Sequence, residues 1–171
     1  MQVLLSSAVV NVRTRYGDSV ACKAMLDSSS QRSIIMEPCW KKLGLKGRST
    51  VHRIGGINNM AAEISLREVR LEFSIHFDWE IFKVGALIVT WITSNLPDFT
   101  VNLEAWSHVE GLKRADLSFQ ISSSVEILIG ADLYADLIIG QSIKGGKGLI
   151  LGLGGFFQVW CMRIQILEFR S

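Results

Sequence analysis

Between residues 68 and 78 the chain alternates without a break. Val69, Leu71, Phe73, Ile75 and Phe77 are apolar, and Glu68, Arg70, Glu72, Ser74, His76 and Asp78 between them are polar. A period of two sends one set to each face of a strand, so the segment reads as a half-buried antiparallel strand. A helix would repeat its apolar face every three to four residues instead. Such a strand needs a sheet around it. Residues 9–12, 20–26, 50–54, 81–92 and 125–129 supply strands, several of them rich in Val and Ile. Within 20–26, Val20, Cys22, Ala24 and Leu26 share one face, and Tyr16-Gly17-Asp18 before them is turn chemistry in which Gly17 is free to take positive φ. Residues 9–26 are therefore expected to form a hairpin.

Helix signals are sparse. Residues 34–43 read as a short helix ending at Gly44, with Pro38 marking its first turn. Residues 133–139 read as a second, and 103–115 as one or two helical turns. The fold class expected is all-β, mainly β with one or two short helices.

Composition narrows the function. A chain of 171 residues is one domain long and can bury a core. Apolar residues make up 49% of it, and the mean hydropathy is +0.30. That is high for a soluble monomer, so part of the apolar surface is expected to lie against a partner chain. A net charge of +2, with no run of like charges, argues against nucleic-acid binding. Cys22, Cys39 and Cys161 are odd in number and lack CxxC spacing, which fits reduced thiols in an intracellular, cytoplasmic protein. His52, His76 and His108 are scattered, so no zinc or other metal site is expected.

The glycine-rich stretch at 140–155 fails as a phosphate loop. Gln141 stands where the first glycine of GxxxxGK[ST] belongs, and Phe157 stands where the last glycine of GxGxxG would follow Gly152 and Gly154. No cofactor is expected. The longest apolar run, 149–157, is far short of the ~20 residues of a membrane helix, and the first five residues lack the basic start of a signal peptide. The tail is expected to hold a turn and a terminal strand around 149–151. Trp40, Trp79, Trp91, Trp106 and Trp160 are expected in the core or an interface rather than around a ligand.

Chemistry concentrates at Ala24-Met25-Leu26-Asp27-Ser28-Ser29-Ser30-Gln31. An acid at the exit of a buried strand, followed by a tight loop of small hydroxyl residues, makes Asp27 the catalytic candidate. Two carboxylates that share one proton can hydrolyse a peptide without a metal, one as base to a water and the other as acid to the carbonyl. This chain offers one such loop, and a symmetric homodimer would supply the second. The plainer alternative is that Asp27 only caps its turn, as Asp before Ser often does. Gly55-Gly56 alone is likewise a turn, and Asp132 and Asp136 read as a solvated helix face.

Leu26-Asp27-Ser28-Ser29-Ser30-Gln31 resembles the hallmark of retroviral-type aspartic peptidases, a hydrophobic pair followed by Asp-Ser/Thr-Gly. Val10-Asn11-Val12-Arg13, Arg15-Tyr16-Gly17, Leu43-Gly44-Leu45, Ile54-Gly55-Gly56, Ile92-Thr93-Ser94-Asn95-Leu96-Pro97, Leu112 with Ala115-Asp116, and Ile127-Leu128-Ile129-Gly130-Ala131-Asp132 extend the likeness over roughly residues 3 to 140. In that order they resemble the peptidase domain of Pao/BEL-type retrotransposon polyproteins. The resemblance implies a retropepsin-like acid protease fold at 1–140, with a divergent C-terminal segment at 141–171. It implies a homodimer in which Asp27 pairs with its copy and Ser28 braces the two loops. Ile54, Gly55, Gly56 and Ile57 would belong to a flap over the substrate, while Ile129 and Gly130 would support the acid loop beside Ser28 and Ser29. The substrate would be an extended peptide or polyprotein, with no nucleic acid or membrane bound by this domain.

Two departures stand out. Ser29 replaces the family's glycine, and the C-terminal Leu-Gly-Trp segment is not recognisable in Leu151-Gly152-Leu153-Gly154. Terminal strands build much of the dimer interface in retroviral-type enzymes. A decayed or domesticated copy would show both changes, and the alternative function is a catalytically dead peptide-binding or dimerisation module on the same fold.

Overall fold

A computed structural model describes residues 2–4, 6–55, 63–75, 80–100, 115–137, 142–144, 149–153 and 158–164. The strands are β1 (Gln2–Leu4), β2 (Ser7–Arg13), β3 (Ser19–Leu26), β4 (Ser33–Met36), β5 (Gly47–Ile54), β6 (Glu63–Ile75), β7 (Phe82–Val89), β8 (Ile127–Ile129), β9 (Ser142–Lys144), β10 (Leu149–Leu153) and β11 (Gln158–Ile164). Two short helices, α1 (Glu37–Leu43) and α2 (Ala131–Leu137), complete the described elements. The expected class, mainly β with short helices, is met.

The larger sheet has the order β2-β3-β8-β4-β7-β6-β5. β2 also pairs with β6, Val10 opposite Ile75 and Val12 opposite Phe73, so six strands close into a ring with β5 attached outside on β6. Closure removes sheet edges and gives the inward faces one shared core. The predicted hairpin is β2–β3, turning at Gly17 with φ 94°. The alternation read from the sequence is real: Val69, Leu71, Phe73 and Ile75 are buried, and Arg70 is exposed. His76, Phe77 and Asp78 lie outside the described residues, as does most of 103–115.

Val10, Val12, Ile35, Leu71, Phe73, Ile127 and Ile129 form the centre of the core, with Leu43 and Leu137 packing in from the helices. Burying each such side chain is worth roughly 1.5–3 kcal/mol. Trp40 lies against this core and donates from Nε1 to the Leu45 carbonyl at 2.7 Å, whereas Trp91 is exposed. Trp79 and Trp106 lie outside the described residues.

Within the 34–43 window the helix starts beside Pro38, as expected, and ends at Gly44. Residues 33–36 form β4, and Met36 is extended with φ −68° and ψ 138°. Pro38 explains the boundary: lacking an N–H, it fits only the first turn, so the helix cannot run back through it. Ile34 and Ile35 then pair on both sides, with β8 and β7. Gly44 ends α1 in the left-handed conformation (φ 66°), its N–H donating to the Lys41 and Trp40 carbonyls.

The terminal strand expected at 149–151 is β10. It lies in a second, antiparallel sheet of order β1-β11-β10-β9. Chain start and chain end thus meet in one sheet, a pairing of distant segments that local sequence does not announce.

Candidate active site

The position of Asp27 follows from strand order. β8 lies between β3 and β4, parallel to β3 and antiparallel to β4. The connection from β3 to β4, residues 27–32, must therefore pass the C-terminal end of β8. Asp27 continues the ladder by donating its N–H to the Ile129 carbonyl at 2.9 Å, one step beyond the Leu26–Ile129 pair. Leu26 is held from the other side by the Ser6 carbonyl, also at 2.9 Å. The acid thus leaves a strand that is hydrogen-bonded on both flanks, and it is half-buried.

The loop then folds onto its own acid. Ser29 donates to Asp27 Oδ1 twice, from the backbone N–H at 2.9 Å and from Oγ at 2.6 Å. Ser30 N–H donates to the Asp27 carbonyl at 3.3 Å. This is the turn that Asp and Ser residues build from their side chains. Ser28 and Ser29 are exposed.

Behind the loop the contacts are tight. Ala131 N–H donates to the Ser30 carbonyl at 2.7 Å, and Gly130 N–H donates to Ser33 Oγ at 3.0 Å. A Cβ on Gly130 would stand 2.7 Å from the Arg32 carbonyl carbon and oxygen and 2.8 Å from the Ser30 oxygen. Only glycine lets the two backbones come this close. Ser33 is fully buried and donates to Asp132 from N–H (3.0 Å) and Oγ (2.7 Å). Arg32 pairs with Glu68 on β6 and approaches Asp132 through Nε at 3.7 Å. Asp132 and Asp136 are both exposed, as a solvated helix face requires, and the Asp132 carboxylate in addition clasps the far end of the acid loop.

A second polar network supports β3 from the side. Lys23 is buried and lies 3.7 Å from the carboxylate of Asp116, itself fully buried. Its ammonium donates to the Leu96 carbonyl and to Ser123 Oγ, each at 2.8 Å. Burial holds the Lys23 pKa below its ordinary value, and the Asp116 charge works against that shift. Ser7 Oγ donates to the same carboxylate at 2.9 Å.

Asp27, Ser28, Ser29, Ile129 and Gly130 are thus brought together. Ile54 and Gly55 stand outside the ring: Ile54 ends β5, half-buried and opposite Glu63, and Gly55 after it is exposed. Gly56 and Ile57 lie outside the described residues. Asp132 and Ser33, which sequence reasoning missed, carried one signal, an acid in the first turn after a strand–glycine junction. No helix among the described residues is long and apolar enough to cross a membrane.

The described residues thus form a mainly-β ring that presents one acid on a loop, strapped from behind by a strand–glycine–helix junction. The chain belongs to the family described as "Putative peptidase (DUF1758)", whose model matches residues 8–154. Among solved structures it is similar to the retroviral protease-like domain of Ddi1 from Leishmania major, at 12% identity and a TM-score of 0.45, over 97% of this chain and 100% of that one. No curated protein matches the chain.

Proposed function

We propose that this domain is an aspartic endopeptidase of the retropepsin type, from a Pao/BEL-type retrotransposon polyprotein, and that its active site forms between two copies of the chain. The observation that carries the reading is Asp27: a half-buried acid at the end of a strand bonded on both flanks, on a loop held by Gly130 and Asp132. Membership of a peptidase family over most of the chain supports it.

In this reading a water sits between Asp27 and its copy. The ionised carboxylate takes a proton from the water, whose oxygen attacks the scissile carbonyl. The protonated carboxyl donates to the carbonyl oxygen. Collapse of the tetrahedral species breaks the C–N bond and returns a proton to the leaving amine. Ser28 braces the loops across the axis, the 54–57 segment closes over an extended peptide, and Ile129 and Gly130 hold the floor. The setting is intracellular, where such a polyprotein is made.

A second reading rests on one contact. Ser29 stands where the family has glycine, and its hydroxyl sits 2.6 Å from Asp27 Oδ1. A hydroxyl there competes with the catalytic water for that oxygen, which fits a domain that binds peptides without cutting them. Cleavage of a peptide library at mildly acidic pH, wild type beside Asp27→Asn, with the sedimentation mass of the same sample, separates the readings. Cutting by a wild-type dimer and not by Asp27→Asn supports the peptidase. Cutting retained in Asp27→Asn overturns it, and a dimer that binds peptides without cutting them favours the binding module.

A further inference from the structure

β3 carries a second cluster, away from the acid loop. Cys22 on β3 and Cys39 on α1 are both buried, 1% and 3% exposed, with their sulfurs 3.6 Å apart. Glu126, the residue before β8, brings a carboxylate to the same place. One ligand atom from each of the three lies within 4.8 Å of the others. Two sulfurs bound at ~2.3 Å to one tetrahedral ion stand about 3.8 Å apart. The observed separation is close to that edge and well beyond the ~2.05 Å of a disulfide.

The carboxylate is already aimed and is the most open of the three groups. Its Oε2 accepts the Lys23 backbone N–H at 3.0 Å, and Oε1 accepts from the Lys42 ammonium at 3.3 Å. Cys22 Sγ also reaches the Val20 carbonyl at 3.6 Å. We propose that Cys22, Cys39 and Glu126 form a binding site for a thiophilic divalent cation of the zinc class, with water in the fourth position. Thiolate ligands select such ions over Mg²⁺ and Ca²⁺.

The charge balance agrees with the geometry. Binding releases one proton from each thiol to solvent, so two thiolates and one carboxylate face two positive charges, and Lys42 neutralises the remainder.

The ion would join β3, α1 and the start of β8. Asp27 lies at the other end of the same strand pair, past Leu26–Ile129, whereas Glu126 precedes the Ala24–Ile127 pair. The site would clamp the strands that present the acid without touching the chemistry. Sequence spacing does not show the cluster, because Cys22 and Cys39 lack CxxC spacing and Glu126 lies far from both in the chain.

The test uses the whole chain, reduced with a phosphine and desalted, then titrated with Co²⁺ and back-titrated with Zn²⁺. One equivalent of Co²⁺ should give a sulfur-to-metal charge-transfer band with tetrahedral visible bands. Zn²⁺ should bleach them, release two protons per ion and raise the melting temperature. Cys39→Ser should abolish the band, Glu126→Gln should weaken binding at least tenfold, and Cys161→Ser should leave binding unchanged. A reduced wild type that gives no band overturns the proposal. So does a band that survives in the Cys22→Ser/Cys39→Ser double variant, or one lost in Cys161→Ser. Should a cysteine variant fail to fold, the Glu126→Gln affinity and the wild-type proton count still decide, and Glu126→Gln binding as tightly as wild type removes the carboxylate from the site and overturns it.

Discussion

Gly130→Ala isolates the strap behind the acid loop. Gly130 is not left-handed, so alanine meets no backbone strain there. In open space this change would stabilise the protein by roughly 0.4–1 kcal/mol, through the unfolded chain. Here the new Cβ meets the Arg32 carbonyl group at 2.7 Å and the Ser30 oxygen at 2.8 Å, all backbone atoms. Relief requires the loop and the β8–α2 junction to separate, an overpacking cost of about 1–3 kcal/mol. Separation also stretches the Ala131–Ser30 and Gly130–Ser33 hydrogen bonds, now 2.7 and 3.0 Å, at about 1 kcal/mol each. Less the gain through the unfolded chain, the net cost is about 2–5 kcal/mol, or about 4–18 °C of melting temperature for a domain this size. Thermal and urea unfolding followed by circular dichroism measures it. Gly47→Ala is the matched control: its Cβ would meet only side-chain atoms outside the loop, the nearest Trp40 Cζ2 at 3.3 Å, which give way for about 1 kcal/mol or less. Gly130→Ala no less stable than Gly47→Ala would refute the strap.

Four further changes test the frame and the acid. Asp132→Ala removes both acceptors of buried Ser33 and should cost about 2–4 kcal/mol, read as a lower urea midpoint at unchanged slope. Lys23→Met leaves the buried Asp116 carboxylate without its cation and should cost about 3 kcal/mol or more, part of it recovered when Asp116→Asn is added. The Cys39 thiol, raised above its ordinary 9.0, keeps its proton where the unfolded chain loses it. Unfolding of metal-free protein therefore releases a proton above about pH 9, and stability should fall there by up to ~1.4 kcal/mol per pH unit, a slope that Cys39→Ala should lessen. Ser29→Gly frees Asp27 Oδ1 of the hydroxyl and should raise peptide cleavage, by up to about 100-fold if the acid now sits about 1 Å from its productive place.

What the sequence showed and what it hid divide by range. The strict alternation at 69–75 is local, and it gave β6 correctly because side chains on a strand must alternate whatever covers them. The Asp27 turn is equally local: Ser29 and Ser30 bond to an acid two and three residues back. The strand at 33–36 is not legible in the sequence, because Ser-Ile-Ile-Met is a short apolar run with no period of its own. Its strand character comes from β7 and β8, both far off in the chain. The added contact of Asp132 was hidden for the same reason. Its partner Ser33 is 99 residues away, and a helix-start acid near water looks the same in sequence whether or not its carboxylate also reaches a distant loop.

The same division separates what holds the acid from what it can do. The rear of the loop is fixed redundantly: a ladder bond to Ile129, a glycine contact that admits no Cβ, a carboxylate on Ser33 and an ion pair to β6. The front rests on one residue, Ser29, which is exposed and bonds only within its own turn. On the proposed function, changes behind the loop alter stability and cleavage together, because they move the strand end that carries Asp27. A change at Ser29 should alter cleavage while leaving the melting temperature nearly unmoved, since an exposed hydroxyl with a local partner contributes little to folding. If Ser29→Gly instead lowers the melting temperature by as much as Gly130→Ala, the hydroxyl belongs to the frame. Ser29 would then serve the fold of the loop rather than the chemistry proposed for Asp27.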